Sequence, residues 1–338
     1  MKVITARNVN DALPTALDIL MHHGYERESR NGKVLVYDGP VTTQYLKPRE
    51  RTLLWEARDA NPFFHLYESM YMLSGAASLY PLRWFVKRME TFSDDGQTMQ
   101  GFYGQRWRRR FGRDQLDIIV RRLRENPDDR RCVLQMWNPD TDLDSASSDV
   151  PCNTNAYLAI NVHGELDLTV CNRSNDVIWG AYGANVVHMS ILQEYLAGRI
   201  GVPVGRYWQI SNNFHGYLDT VEPLIDADRR GLEPLNPYTE LRPPISLVNS
   251  SEDPDVLERD IARLAETKPG DLNMMTGLDM FESFFMSTVM LPMIIAYKWH
   301  KARNYEEALK HCKLITDDGW RKASTTWMEK RSALYQEA

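Results

Sequence analysis

Residues 149–176 read DVPCNTNAYLAINVHGELDLTVCNRSND, and they hold a cysteine between two kinds of local structure. Runs rich in β-branched and other apolar residues on either side of His163-Gly164 predict two strands joined by a turn. Cys152 follows a proline at the mouth of the first strand, and Arg173 follows the second. A single cysteine is more often a small buried apolar side chain than a nucleophile, because reactivity requires a lowered pKa. The stretch leaves both interpretations open.

Arginine side chains would supply a phosphate clamp if they approached this cysteine. Arg130 and Arg131 begin an apolar strand, where the simpler interpretation is a solvated strand end. The guanidinium group matches phosphate oxygens with two parallel hydrogen bonds, which favours a functional interpretation. Together with Arg173 and Ser174, these donors would suit a nucleoside monophosphate.

The composition is that of a soluble globular protein. Of 338 residues, 43% are hydrophobic and 25% are charged, enough for one large domain or two smaller ones. The net charge of −6 argues against a general nucleic-acid binder, which usually carries a basic surplus. The segment GQRWRRRFGR, residues 104–113, is nevertheless a local basic cluster.

The cysteines and the apolar segments indicate a reduced, cytoplasmic protein. The four cysteines fit neither a zinc pattern nor a small disulfide framework, so we expect no metal. The N-terminus has no long apolar run of the kind found in secretory signals. The most apolar stretch, residues 280–299, carries Glu282 and Pro292, which favours a buried, kinked helix over a membrane span.

Hydrophobic periodicity predicts an α+β fold with a substantial sheet and helices largely segregated from it. Helices are expected over 11–23, from Asn61-Pro62 to Gly75, over 185–201 and through most of the last ~80 residues. The predicted strands lie in GKVLVYDGPVTTQYL (32–46), RRCVLQMWN (130–138), NAYLAINV (155–162), ELDLTVC (165–171) and GRYWQIS (205–211).

Six separated motifs resemble those of the thymidylate synthase family, which includes phage pyrimidine nucleotide hydroxymethylases. They occur in the family's order and cover roughly residues 25–220. The motifs are YESMYMLSG (67–75), FYGQRWR (102–108), DDRRCVLQMWN (128–138), VPCN (150–153), NRSNDVIWGAYGAN (172–185) and FHGY (214–217). The agreement in order makes Cys152 a nucleophile by resemblance.

The resemblance implies a thymidylate synthase-like fold, with a large mixed sheet that packs against helices and forms the interface of a homodimer. We expect a catalytic domain over residues 1–250 and a helical C-terminal extension over 251–338 packed on it. In the family the two active sites are shared between the subunits. The expected partners are a pyrimidine nucleoside monophosphate, a folate and a second copy of the chain, without nucleic acid or membrane.

The resemblance also implies a reaction. Cys152 would attack C6 of the pyrimidine, and C5 would then take a one-carbon unit from 5,10-methylenetetrahydrofolate. Such covalent catalysis divides one difficult substitution into easier steps. Glu68 would organise proton transfer through ordered water, and Tyr103 would assist removal of the C5 proton. Glu68 lies within an otherwise apolar helix, which fits poorly with a surface position.

The remaining roles follow residue by residue from the motifs. The phosphate would be bound by Arg30, Arg173 and Ser174 and by Arg130 and Arg131 from the partner subunit. The sugar 3′-hydroxyl would be bound by His215 and Tyr217, the base by Asn153 and Asn185, and the pterin of the folate by Asp176.

Several departures from ordinary synthases favour water as the group that ends the reaction. Asn153 follows the nucleophile where synthases have histidine, as it does in phage deoxycytidylate hydroxymethylases. The segment before Tyr103 lacks the family's tryptophan, and the chain ends in SALYQEA instead of a short apolar closing tail. We therefore expect a hydroxymethyl product, with ordinary dTMP synthesis as the alternative.

Which pyrimidine base the protein recognises depends on whether its sequence has one residue more than the family in the loop before Asn185. An asparagine amide pairs with N3–H and O4 of uracil, whereas a carboxylate suits cytosine better. If GAYGAN is one residue longer than the family loop, Asn185 fills this position and the substrate is dUMP. Without the insertion Ala184 fills it, and dCMP or CMP stays open. A catalytically inactive homologue that binds nucleotide or RNA is the alternative from another class.

Overall fold

The computed structural model describes residues 1–229, 236–249 and 251–336 and confirms the α+β class. Residue 250, where we expect the catalytic domain to end, and residues 337–338 of the predicted extension lie outside the described residues. The described strands are β1 (Lys2–Ala6), β2 (Gly24–Ser29), β3 (Gly32–Tyr37), β4 (Val41–Tyr45), β5 (Val133–Gln135), β6 (Asn153–Ile160), β7 (Leu166–Asn172), β8 (Asn175–Asp176), β9 (Val204–Ser211) and β10 (Phe214–Tyr217).

The helices surround these strands and fill the last third of the chain. They are α1 (Val9–His23), α2 (Pro62–Leu73), α3 (Tyr80–Phe85), α4 (Tyr103–Arg108), α5 (Gln115–Glu125), α6 (Pro139–Asp142), α7 (Asn185–Ile200), α8 (Leu218–Arg229), α9 (Pro254–Glu266), α10 (Met274–Met280), α11 (Leu291–Lys301), α12 (Tyr305–Lys313) and α13 (Asp318–Gln336).

The strands form two mixed sheets. The large sheet has the order β1-β4-β9-β7-β6-β5, and the small sheet has the order β2-β3-β10-β8. The predicted turn at His163-Gly164 is confirmed, because β6 and β7 pair antiparallel and Gly164 has a φ of +77°, which glycine adopts without strain. The parallel pair β7 and β9 is connected by a crossover that contains α7, as a parallel pair requires.

The two faces of the large sheet differ in burial. Residues that alternate along β6, β7 and β9, such as Leu158, Val170 and Tyr207, are buried toward the helices. On the opposite face Tyr157 is 49% exposed and Val133 is 43% exposed, and Trp208 is partly exposed. An antiparallel strand pair shows this alternation when one face packs against a core and the other does not. The second face is therefore open in the single chain.

Two buried helices form the layer next to the sheet. Asn61 caps α2 by accepting a hydrogen bond from the N–H of Phe64 at 3.1 Å, and Pro62 occupies the first turn, as the sequence predicts. α7 begins at Asn185 and is buried along the thirteen residues to Ala197. Because α2 and α7 contact each other, polar side chains on both helices meet inside the protein.

The C-terminal helices pack against α2 through aromatic side chains. The ring of Phe63 lies 5.4 Å from that of Trp327 on α13 and 5.5 Å from that of Tyr297 on α11. The apolar segment 280–299 is mostly buried, and in the described parts of the chain no helix is long and apolar enough to cross a membrane. Glu282 lies in the non-helical residues 281–283 between α10 and the helix that begins at residue 284, and it pairs with Arg263 at 2.8 Å.

A buried ion pair fixes the segment that leads into the site. Arg106 on α4 donates to both carboxylate oxygens of Asp142 at 2.6 and 2.9 Å, and the side chains are 0% and 1% exposed. Arg106 also donates to the carbonyl groups of Met136 and Gln100. We expect Asp142→Ala to lower the free energy of unfolding by about 3–5 kcal/mol, because it leaves a buried guanidinium unpaired.

Chemical denaturation followed by circular dichroism measures this loss. Lys310→Ala removes an exposed pair with Glu307 and should change the unfolding midpoint little. An Asp142→Ala protein as stable as this control would show that the pair does not support the fold.

Candidate active site

The β6–β7 hairpin brings Cys152 and Arg173 together. The backbone N–H of Arg173 donates to the carbonyl of Cys152 at 2.9 Å. The Arg173 side chain donates to the carbonyl of Pro151 at 2.8 Å, and its Nη2 lies 4.0 Å from the Cys152 Sγ. The predicted nucleophile and one predicted phosphate ligand are therefore neighbours. Ser174 is partly buried directly after Arg173.

Opposing effects act on the Cys152 thiol. Burial raises its pKa above the ordinary value, because a thiolate is poorly solvated inside the protein. The Arg173 guanidinium counteracts this rise by stabilising the thiolate, whereas the carboxylates of Asp149 and Asp176 add to it. The thiol is thus held protonated until an event in the site favours its ionisation.

The Tyr103 hydroxyl lies against the nucleophile. Its oxygen accepts hydrogen bonds from the backbone N–H groups of Cys152 at 3.1 Å and Asn153 at 3.0 Å. Burial raises the pKa of Tyr103, so the phenol is protonated at neutral pH. Because both contacts are accepted, the hydroxyl proton is free to be donated toward a ligand.

A chain of buried amides continues from the nucleophile. The Nδ2 of Asn153 donates to the Oδ1 of Asn185 at 3.4 Å, and the Nδ2 of Asn185 donates to the Oδ1 of Asn175 at 3.0 Å. Asn175 in turn donates to the Ser211 hydroxyl at 2.9 Å. The structure therefore brings together both residues expected at the base.

A kinked segment over Val177–Ala184 precedes Asn185. The Asn185 N–H donates to the Gly180 carbonyl five residues back, as in a π-helical turn, while Tyr182 and Gly183 have non-helical backbone angles. Such a turn holds one residue more than an α-helical turn and is common at functional sites. A side chain at Gly183 would approach the Ile178 carbonyl to 2.5 Å, so the turn requires glycine there. The Asn185 side chain at the end of this segment contacts Asn153, whereas the side chain of Ala184 has no polar atom, and the one-residue insertion in GAYGAN stays a prediction.

Glu68 lies in the buried part of α2 and meets a histidine that sequence reasoning did not single out. The Oε2 of Glu68 is 2.9 Å from the Nε2 of His188 on α7, and the side chains are 7% and 4% exposed. The two groups are close without being aligned for a hydrogen bond, since neither ring nitrogen of His188 has an aligned partner. Residues three apart share a helix face, so His188 lies on the same face of α7 as Asn185, but this spacing alone does not indicate a contact with Glu68.

The small sheet assembles the residues expected at the sugar and the pterin. Asp176 and His215 are register partners in β8 and β10, and the His215 and Tyr217 rings are 5.8 Å apart. The Nδ1 of His215 and the Oδ2 of Asp176 are buried without a hydrogen-bond partner. Buried polar atoms of this kind fit ligands that would satisfy them.

The hairpin of β2 and β3 carries Arg30 at its exposed tip. The next residue, Asn31, donates from Nδ2 to the Tyr217 hydroxyl at 3.4 Å, so the tip lies beside the expected sugar site. The role of Arg30 as a phosphate ligand stays a prediction.

Arg130 and Arg131 do not meet Cys152 within one subunit. The carbonyl of Cys132 accepts from the N–H of Leu158, six residues along β6 from Cys152, so the two arginines lie about 20 Å away. Both are exposed, and Arg131 pairs with Asp129 at 3.0 Å. They could serve a nucleotide only in another copy of the chain.

Arg58 and Trp179 are further neighbours of the site that sequence reasoning missed. The guanidinium of Arg58 donates to the Ile178 carbonyl at 2.7 Å and lies 4.8 Å from the centre of the Trp179 ring. Trp179 is 53% exposed beside Asp176, whose Oδ1 accepts from its N–H at 2.5 Å. An exposed indole next to a buried carboxylate provides a stacking surface and an acceptor for a flat heterocycle.

The basic cluster at residues 104–113 is only partly a surface. Arg106 pairs with Asp142, and Arg108 pairs with Asp114 at 2.8 Å and Glu258 at 3.0 Å. Arg109 and Arg110 remain exposed. Among the described residues, no group of three or more His, Cys, Asp or Glu side chains is arranged to hold a metal ion.

The fold and family can now be identified. A solved thymidylate synthase from T4 phage superposes with a TM-score of 0.51 at 23% identity, covering 63% of this chain and 78% of that chain. The fold is therefore of the thymidylate synthase type. The family model described as thymidylate synthase matches residues 15–250, so the chain belongs to the thymidylate synthase family and is a one-carbon transferase.

The chain is also similar in sequence to curated phage proteins. A deoxyuridylate hydroxymethyltransferase of Pseudomonas phage M6 is 44% identical over 347 aligned residues, which cover 99% of this chain and 96% of that protein. A deoxyuridylate hydroxymethyltransferase of Bacillus phage SP01 is 34% identical, covering 66% of this chain and 61% of that protein. The similarity to the M6 protein includes the C-terminal helices.

We expect Arg173→Gln to slow alkylation of Cys152 by iodoacetamide at a fixed pH. Burial already disfavours the thiolate, so removing the opposing guanidinium raises the thiol pKa further and shifts the reaction to higher pH. Mass spectrometry of the digested protein measures each cysteine across a pH series.

Cys171 provides a control in the same sample, because burial alone raises its pKa and its profile should not change. An unchanged Cys152 profile would show that Arg173 does not influence the thiol.

Proposed function

We propose that the protein converts dUMP to 5-hydroxymethyl-dUMP with 5,10-methylenetetrahydrofolate as the one-carbon donor. The main support for uracil as the base is the contact of Asn185 with Asn153, the residue directly after Cys152. The near full-length similarity to a phage deoxyuridylate hydroxymethyltransferase supports the choice of product.

The reaction begins with the Cys152 Sγ bonding to C6 of the pyrimidine, which moves an electron pair through C5 to O4. The thiolate needed for this attack is stabilised by Arg173. The folate supplies a one-carbon unit that becomes bonded to C5. Tyr103, whose hydroxyl lies against the nucleophile, assists loss of the C5 proton.

Release of tetrahydrofolate leaves a methylene group on C5, conjugated with C4–O4. Water bonds to this carbon, the electron pair passes through O4 and returns to form C5=C6, and the C6–Sγ bond breaks. Glu68 is the carboxylate available to organise the water. The protons lost by C5 and by water equal the two N–H protons gained as methylenetetrahydrofolate becomes tetrahydrofolate.

We assign residues to each part of the nucleotide and the folate by the charge and hydrogen-bonding groups of their side chains. Arg173, Ser174 and Arg30 hold the phosphate, and His215 and Tyr217 hold the sugar hydroxyl through the buried Nδ1 of His215 and the phenol. The residues beside Asp176 fit a pterin, because its buried Oδ2 lacks a partner and Trp179 offers a stacking face. The amide of Asn185 offers a donor and an acceptor to uracil.

The active unit that we propose is a homodimer with shared sites. The open face of the large sheet exposes Tyr157 and Val133, and large apolar side chains exposed on a sheet face indicate an interface. Arg130 and Arg131 directly precede β5, the edge strand of this sheet, far from their own Cys152. A partner subunit would bring them to the phosphate.

Incubation with methylenetetrahydrofolate and either dUMP, dCMP, UMP or CMP tests the function. We expect 5-hydroxymethyl-dUMP and tetrahydrofolate by mass spectrometry, because water addition does not oxidise the folate whereas hydride transfer does. Cys152→Ala should abolish tritium release from C5-labelled dUMP while dUMP binding remains measurable.

Cys171→Ala is the matched control and should keep activity. The products dTMP and dihydrofolate would instead identify an ordinary synthase, and binding without tritium release by the wild type would identify an inactive homologue.

Asn185→Asp should shift preference from dUMP toward dCMP. A carboxylate accepts from the cytosine amino group, and an unpaired polar edge costs about 1–3 kcal/mol, or roughly 5- to 150-fold in relative kcat/KM. The ratio of kcat/KM for the two nucleotides is the measurement.

Ala184→Asp provides the comparison, because Ala184 makes no contact with Asn153 and its variant should gain no preference for dCMP. A gain by the Ala184 variant alone would overturn the assignment of Asn185.

Mixing two inactive variants tests the shared site. Heterodimers of a Cys152→Ala chain with an Arg130→Ala, Arg131→Ala chain should be more active than either parent, because one of their sites has both the nucleophile and the arginines. Absence of rescue in verified heterodimers would contradict a site built from two subunits.

A further inference from the structure

We propose that His188 is a positioning residue that acts through Glu68 to take the proton from the water that ends the reaction. This inference rests on the proposed hydroxymethylation and assigns the capture of the methylene group to a particular pair of side chains. It concerns the last step, after the one-carbon unit has been transferred to C5.

The first support is the position of the pair. His188 Nε2 and Glu68 Oε2 are 2.9 Å apart, and less than a tenth of either side chain is exposed. An imidazole next to a carboxylate can pass a proton to it over this distance. The pair lies where α2 and α7 meet, which are the two helices that bring Glu68 and Asn185 into the site.

The second support is that His188 is incompletely bonded. Its Nδ1 and Nε2 are both buried without an aligned hydrogen-bond partner. A buried polar group without a partner costs free energy, and such groups require an explanation by a ligand, a water or a catalytic role. On the same helix the amide nitrogen of Gln193 donates to the Leu166 carbonyl at 2.8 Å although its Oε1 has no partner, and Glu194 pairs with Arg49 at 2.9 Å, whereas neither ring nitrogen of His188 has an aligned partner.

The third support is the location on the helix. Asn185 and His188 are three residues apart and share a face of α7. Asn185 contacts Asn153 next to the nucleophile, so His188 lies about one helical turn further along the same face. A water between the pyrimidine C5 substituent and Glu68 would be within reach of the imidazole.

Few other titratable side chains from the described neighbouring segments face the pair of Glu68 and His188. His65 on α2 and Arg58 are the titratable neighbours from adjacent segments, and burial followed by the charge of Arg58 and of His188 lowers the pKa of His65 to about 3. His65 therefore stays neutral at working pH. Asp149, in the loop before the nucleophile, is another charged neighbour: burial raises its pKa, and the charge of Glu68 adds to this rise. His188 is the imidazole closest to Glu68 among the described contacts.

The capture step balances with this pair as the proton acceptor. The water oxygen bonds to the methylene carbon, one water proton passes to Glu68 and His188, and the C6–Sγ bond breaks with its electrons on sulfur. The proton held by the pair then neutralises the charge left in the site. No oxidant or reductant is needed.

The test separates this step from the earlier ones. His188→Gln keeps the size and hydrogen-bonding capacity of the side chain but cannot accept the proton. We expect it to retain tritium release from C5-labelled dUMP, while formation of 5-hydroxymethyl-dUMP falls about 100-fold relative to that release, the scale of lost general base catalysis. The methylene intermediate should accumulate on Cys152 and be trapped by added 2-mercaptoethanol as a thioether, detected by mass spectrometry.

His300→Gln is the matched control. His300 is a partly buried histidine among the aromatic residues of the C-terminal helices, 5.0 Å in ring separation from Trp327 and outside the site. It should keep the wild-type ratio of tritium release to product. A second variant, His188→Ala, should regain product formation when imidazole is added, which a purely structural role for His188 would not allow.

The possible results separate the two proposals. A wild type that makes no 5-hydroxymethyl-dUMP defeats the proposed function and this inference with it. If the wild type makes it, a proportional loss of tritium release and product in both His188 variants, without a thioether, overturns the inference alone. Unchanged product formation in His188→Gln overturns it equally.

Discussion

The burial of α7 between the large sheet and α2 is the constraint on which the site depends. A helix buried along thirteen residues leaves little solvent access for its polar side chains, so these must be paired with other elements. Gln193 meets this need by bonding the Leu166 carbonyl of β7, and Glu194 by pairing with Arg49 and Arg51. At the start of the helix Asn185 is paired with Asn153 and Asn175, whereas both ring nitrogens of His188 and the Oε1 of Gln193 have no aligned hydrogen-bond partner.

Much of the fold follows from local sequence signals. The β6–β7 hairpin, the Asn61 cap of α2 and the apolar face of α7 are each determined by residues close in sequence. The sequence analysis missed the strands β1, β2, β8 and β10, and the reasons are clearest for β2 and β10. β2 is an edge strand whose residues are mostly exposed and charged, so it has no apolar alternation, and β10 is four residues long and contains Gly216. Their pairing depends on distant partners.

The site residues were predicted from the resemblance to the family, whereas the distances and contacts between them are known only from the structure. Motif order cannot reveal that Arg130 lies about 20 Å from its own Cys152, because that distance depends on strand register. It also cannot show that Asn185 contacts Asn153, since the path of the chain before Asn185 depends on close packing at Gly183. His188 was missed because a histidine in an apolar helix carries no signal of its own until Glu68 is found beside it. The division of the chain near residue 250 stays a prediction.

The C-terminal helices are connected to the side of the site where the folate is proposed to bind. Arg331 on α13 donates to Asp59 at 2.8 Å and lies 3.7 Å from the centre of the Trp327 ring, which packs on Phe63. Burial alone would raise the pKa of Asp59, but its hydrogen bond to Arg331 and the nearby positive charges lower it, so the pair is ionised at neutral pH. Asp59 directly follows Arg58, which lies over Trp179. A helix held by an ion pair and an aromatic cluster is less free to move than a short tail would be. The C-terminal helices therefore help to hold Asp59 and the adjoining Arg58 in place beside Trp179.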